Sequence, residues 1–167
     1  MSLIDFATLS KLAATSARIT QPCSCCTVPL DAWQRLPTSL ELDRFEEVGT
    51  LVADAYDEPS FKEYHPHGTR DDSPDAPIAP RYYPANRSQV ARCMNCGRYY
   101  LRYNEAGGYF TELRIRALRP ELLVDAAYCA TAMAYATAHF VGRLSAQRIS
   151  RQHQQRQQWC RITRLCR

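Results

Sequence analysis

Cysteines recur at metal-ligand spacing in two distant parts of the chain, and no other feature limits its fold as sharply. Cys93-Met94-Asn95-Cys96-Gly97 is a CxxCG knuckle, and Cys23-Ser24-Cys25-Cys26 holds a second CxxC pair. Two thiolates three positions apart grip one ion when the turn between them is tight. The glycine after the second permits the positive φ that lets backbone N–H groups face sulfur. One knuckle supplies two ligands, whereas structural zinc takes four in a tetrahedron. The expected ligands of one structural Zn2+ are therefore Cys23, Cys26, Cys93 and Cys96, with Cys25 as a substitute in the first pair. Four thiolates leave no open coordination position, so such an ion holds the fold together rather than activating water. The competing readings are incidental buried cysteines and a thioredoxin-like redox pair. The redox pair wants a helix after its second cysteine, where this chain reads as strand.

Eight cysteines also suffice for four disulfides, so the compartment matters. Asp5 and Lys11 interrupt the first apolar residues and no basic stretch precedes them, which is unlike a secretory signal. The candidate span Ala127 to Gly142 lacks charges but is 16 residues, short of the roughly 20 that cross a bilayer. A soluble, cytoplasmic protein with reduced cysteines and no membrane partner is expected.

Local patterning predicts an α+β fold, with a zinc-ribbon-like four-cysteine site next to an antiparallel hairpin or small sheet. Residues 2–18 read as a helix capped by Ser2 and Asp5, with Leu3, Phe6, Leu9 and Leu12 at three-residue steps. Between Leu30 and Asp57 the pattern fits either a short helix started by Thr38 with Glu41 or a strand from Phe45 to Val52. From Arg98 to Leu118 two period-two runs flank Ala106-Gly107-Gly108, the pattern of two antiparallel strands with one buried face. A C-terminal helix is predicted over 120–148, opened by Pro120 and carrying a stripe that includes Cys129. Residues 1–149 are read as one zinc-stabilised domain and 150–167 as a basic Arg/Gln-rich tail, which contains Cys160 and Cys166.

Six of the ten prolines fall between Pro59 and Pro84, which forbids a regular helix or central strand there and predicts a long extended loop. Charge is uneven as well. Residues 31–80 carry twelve acids against four bases, while 111–167 carry ten arginines against three acids. The acidic stretch is either a hydrated surface or a face for a basic protein partner, with Asp54, Asp57, Glu58, Glu63, Asp71 and Asp72 at its centre. His65 and His67 beside Asp71 and Asp72 also suggest a catalytic metal, although Pro66 disfavours the strand on which an HxH pair shares a face. Arg98, Arg102, Arg114 and Arg116 share the hairpin with Tyr100 and Tyr109. Such interleaving suits either single-stranded nucleic acid or a solvated outer face.

Longer stretches carry a resemblance. Glu58 to Thr69, Pro74 to Ala79, Tyr83 to Arg87, and Cys93 to Arg98 leading into Leu101 to Tyr109 resemble small proteobacterial proteins associated with the immunity partners of polymorphic toxins. The likeness covers about residues 20–125. It implies a cytoplasmic inhibitor that occludes a toxin domain, without identifying the toxin or the contact residues. With no marked catalytic set in the sequence, a non-enzymatic role is expected. The alternative function is a nucleic-acid-binding zinc-ribbon protein acting through the hairpin arginines and the basic tail.

Overall fold

The computed structural model describes residues 1–53, 56, 60–107 and 109–127, the side chain of Cys26 excepted. Its frame is a five-stranded antiparallel sheet in the order β1-β5-β4-β3-β2: β1 Gln34–Arg35, β2 Phe45–Thr50, β3 Gln89–Cys93, β4 Tyr99–Ala106 and β5 Thr111–Ala117. Strands β2 to β5 form a meander, and β1 returns along the far edge to pair with β5. Residues 1–126 make one compact unit. The predicted domain limit at 149, the tail 150–167 and the greater part of the predicted C-terminal helix lie outside the described residues.

The hairpin from Arg98 to Leu118 is present, but its two strands are phased differently from the expected amphipathic ribbon. Leu101 lies opposite Arg116 and Tyr103 opposite Arg114, while Arg102 faces Ile115. Each face thus mixes apolar side chains with arginine, and both faces are covered. On one side Val90, Leu101 and Tyr103 pack with Leu9 and Ala13 of the helix, with Trp33, and with Ile78 of the proline-rich segment. On the other, Ala91, Cys93, Tyr100 and Ile115 pack with Cys25, Leu30, Leu40 and Phe45.

The helix α1 spans Phe6–Ala17, four residues later than the predicted start. Asp5, not Ser2, caps it, accepting a 2.8 Å bond from the Thr8 N–H. Residues 2–4 are instead drawn along β2: Thr50 donates to the Ser2 carbonyl and Ile4 to the Thr50 carbonyl. The buried stripe consequently runs through Ile4, Leu9 and Ala13, with Leu3 exposed. At the other end, Pro120–Leu122 forms a single 3-10 turn rather than opening a helix. Leu123 then pairs in parallel with Ile78, so the chain is extended where the helix was expected to begin.

The long proline-rich segment is tied to this frame. Ile78 N–H donates to Leu122, Tyr83 N–H to Lys62, and the Asn86 amide to the Ser60 carbonyl. Arg116 is fully buried beneath it, its guanidinium donating to the carbonyls of Asp31 (3.0 Å), Ala76 (2.6 Å) and Pro74 (3.4 Å). Prolines remove N–H donors and leave neighbouring carbonyls in search of partners, and one guanidinium serves several. Among the described residues, no helix is long and apolar enough to cross a membrane.

Candidate metal centre and adjoining cleft

The knuckle is the turn of the β3–β4 hairpin. Cys93 ends β3 opposite Phe45, its N–H donates to the Arg98 carbonyl, and the Gly97 N–H returns to the Cys93 carbonyl. Gly97 sits at φ +82°, the left-handed conformation that the CxxCG spacing predicts. Opposite it lies a 3-10 turn, Ser24–Cys26, with Cys23 at its start. Two arginines hold that turn in place. Arg98 donates to the carbonyls of Ile19 and Gln21, and Arg44 donates to the Ser24 hydroxyl.

The result is a group of four sulfurs, Cys23, Cys25, Cys93 and Cys96, all within 4.8 Å of one another. Cys23 and Cys93 are 3.8 Å apart, and Cys25 and Cys96 are 3.4 Å apart. Cys25 and Cys93 are buried, Cys23 and Cys96 half-buried. Such a group can hold a metal ion. Three of the predicted ligands are present, and Cys25 makes the fourth member, the substitute that the first cysteine pair offered. The side chain of Cys26 lies outside what is described.

Second-layer groups prepare this cluster for charge. The Asn95 amide donates to Cys23 Sγ (3.1 Å) and the Tyr100 hydroxyl to Cys25 Sγ (3.2 Å). Burial raises the Cys23 thiol, but hydrogen bonds from the Cys25 backbone and the Asn95 side chain outweigh it and bring the thiol down to about 6. At Cys93 burial wins and pushes the thiol up. A metal ion would be bound by deprotonated sulfur, which Cys23 offers readily and Cys93 yields only against its burial.

The hairpin arginines are each engaged by protein acceptors, with Arg102 and Arg116 buried and Arg98 and Arg114 half-buried. Besides Arg116 and Arg98, Arg102 is buried and paired with Glu47 at 3.0 Å, and Arg114 is paired with Glu112 at 2.9 Å. Tyr100 is buried as well, its ring edge-on to Phe45. The expected outer face of basic and aromatic residues is therefore absent from the described part of the hairpin, apart from Tyr109 at the turn, which is exposed.

A cleft of about 340 Å3 opens on the opposite side of the sheet from the sulfurs. Its walls include Trp33, Tyr103, Glu105 and Arg114 from the frame, and Glu63, Asp71 and Asp72 from the proline-rich segment. Of the six acids expected to form a partner surface, Glu63, Asp71 and Asp72 thus lie around one opening, whereas Asp54, Asp57 and Glu58 lie outside the described residues. The residues that sequence reasoning passed over are Glu105 and its two phenols. Tyr83 and Tyr103 both donate to Glu105 Oε2. Alternation of Tyr103 and Glu105 along β4 was visible, but nothing local signalled that Tyr83 would reach the same carboxylate. His67 is exposed; His65 is half-buried between Glu63 and Asp71.

Comparison of the chain with protein-family models, with curated proteins and with solved structures returns no match.

Proposed function

We propose that this protein is a non-catalytic, zinc-clamped inhibitor of the immunity type, which neutralises a basic protein partner such as a toxin domain. The four sulfurs suit zinc because thiolates bound at about 2.3 Å to a tetrahedral ion lie about 3.8 Å apart. Two of the pairs, at 3.4 and 3.8 Å, are near that spacing before any ion is added. An ion held by four thiolates has no vacant position and acts as a structural clamp.

The observation that carries the binding role is the immobilised acidic segment. Glu63, Asp71 and Asp72 rim one opening on a loop held by Arg116, by the Ile78–Leu123 pairing and by the Asn86–Ser60 bond. Acids fixed beforehand lose little entropy on binding, and their field accelerates encounter with a positive surface. The internal engagement of Arg98, Arg102, Arg114 and Arg116 takes away the main support for nucleic-acid binding through the hairpin.

The test is co-expression with a toxin encoded beside this gene, scored by host growth and by association kinetics. Wild-type protein should rescue growth, and Glu63→Lys with Asp72→Lys should slow association at least about tenfold at low salt. Rescue and association unchanged in the double variant would remove the acidic rim from the interface. Failure of the wild-type protein to bind the toxin would overturn the inhibitor reading.

A further inference from the structure

Glu63, His65 and Asp71 form a second group with metal-ligand chemistry, made of nitrogen and oxygen rather than sulfur. Their nearest ligand atoms lie within 4.8 Å of one another. The Gly68 N–H donates to the His65 carbonyl and closes a tight turn, and Nδ1 of His65 is 3.0 Å from the Thr69 hydroxyl. This fixes the ring and leaves Nε2 facing the other way. There it stands 3.3 Å from Glu63 Oε2 and 3.3 Å from Asp71 Oδ1. It is buried and yet hydrogen-bonds to neither. The nitrogen points into the gap between two carboxylate oxygens.

That gap has the dimensions of a coordination site. Donor atoms held at about 2.1 Å from one ion lie about 3.0 Å apart at octahedral angles and about 3.4 Å at tetrahedral ones. Both nitrogen–oxygen separations fall inside this range. A second partner on the far ring nitrogen, here the Thr69 hydroxyl, is the usual support of a metal-binding imidazole.

The charges also call for a cation. Two carboxylates face one gap there, and the nearby Arg116 guanidinium is already occupied by three backbone carbonyls. Arg70 pairs with Asp72 and Arg114 with Glu112. Among the described residues, His65 is the sole ion-pair partner of Glu63 and of Asp71. Both carboxylates line the cleft, so an ion placed between them and His65 has access to water on that side.

We propose that Glu63, His65 and Asp71 form an exchangeable site for a first-row divalent cation, zinc or manganese, separate from the sulfur cluster. One imidazole nitrogen and two carboxylate oxygens suit both ions, and three protein ligands leave positions for water in the cleft. The site shares Glu63 and Asp71 with the proposed partner-binding rim, but cation binding to it requires only the folded chain.

Manganese is the discriminating probe, because thiolates favour softer ions and leave it to the oxygen-rich site. Full-length protein with its sulfur cluster filled by zinc is titrated with Mn2+, and free Mn2+ is followed by electron paramagnetic resonance. A second Zn2+ equivalent is sought in parallel by calorimetry, with Mg2+ as a control. One equivalent of Mn2+ or Zn2+ should bind, at least about tenfold more weakly in His65→Ala and Asp71→Asn and unchanged in His67→Ala. Should the first two variants unfold, the wild-type protein still decides: bound Mn2+ must broaden the His65 ring resonances far more than those of His67. Binding of neither ion, affinity indifferent to His65, or equal broadening of both histidines would overturn the site.

Discussion

Glu105 shows how a single carboxylate can organise its surroundings through hydrogen bonds from uncharged groups. Burial raises its carboxyl, but the two phenols, with Arg114 and Arg87 nearby, outweigh burial and hold it below the ordinary 4.5. The same contacts work in reverse on the phenols. Tyr83 is pushed up to about 12, chiefly by burial and then by Glu105, and Tyr103 is also pushed up. A depressed carboxyl stabilises the fold above its unfolded value and loses that contribution as pH falls through its folded value. Glu105→Gln should therefore be less stable than wild type at neutral pH, by about 1 kcal/mol given partial exposure, and the difference should vanish on acidification below 4.5. Thermal unfolding of both proteins across that window checks it; a constant difference would exclude linkage to this carboxyl. At this scale the sequence was legible where chemistry repeats at short range, as in Cys93, Cys96 and Gly97. It was misleading at Arg116. An arginine in a period-two pattern looks solvated, and its acceptors belong to Asp31, Pro74 and Ala76, far away along the chain.

Among the elements, alternation located β4 and β5 but not their relative phase. A shift of one residue turns every side chain to the other face, and the turn between strands decides it. Here Leu101 meets Arg116 and Ile115 meets Arg102, so a sheet covered on both faces replaces the half-exposed ribbon. Two-residue β1 is too short to carry a period, and β3 gave no separate signal beside the knuckle it feeds. The late start of α1 has a similar cause: residues 2–4 satisfy their backbone groups along β2, leaving Asp5 as the cap. Gly49 makes this possible. It follows a register shift in β2, and an added Cβ would stand 2.7 Å from both the Ser2 carbonyl oxygen and Ile4 Cδ1. Gly49→Val should therefore cost about 1–3 kcal/mol, since one of the crowding atoms is backbone and cannot rotate away. Hydrogen exchange offers a direct reading, with faster exchange expected at Ile4 and Thr50. Protection equal to wild type would show that the amino-terminal residues accommodate the side chain.

For the molecule as a whole, the sulfur cluster fastens residues about seventy positions apart. The proposed zinc should contribute on the order of 10 kcal/mol, comparable with the entire stability of an ordinary domain. Removal by a strong chelator should abolish cooperative unfolding and collapse the dispersion of amide resonances. Cys25→Ser should lose stoichiometric zinc by elemental analysis, whereas Cys26→Ser should keep it. A metal-free protein melting like the loaded one would deprive the cluster of its structural role. Two distant cysteine pairs were enough to anticipate this long-range contact, because sulfur spacing encodes it without any secondary structure. The cleft was not anticipated as a whole, since its walls come from five separate stretches of sequence.

The order of strands has a consequence for how the chain is made. All four sulfurs precede β5, yet β5 lies between β4 and β1 in the finished sheet. During synthesis the ion can be captured once the β3–β4 turn has left the ribosome, while β1 still waits for its neighbour. Arg116, which anchors the proline-rich loop, arrives with that same late strand. Chain order thus lets capture of the proposed ion precede fastening of the loop by Arg116.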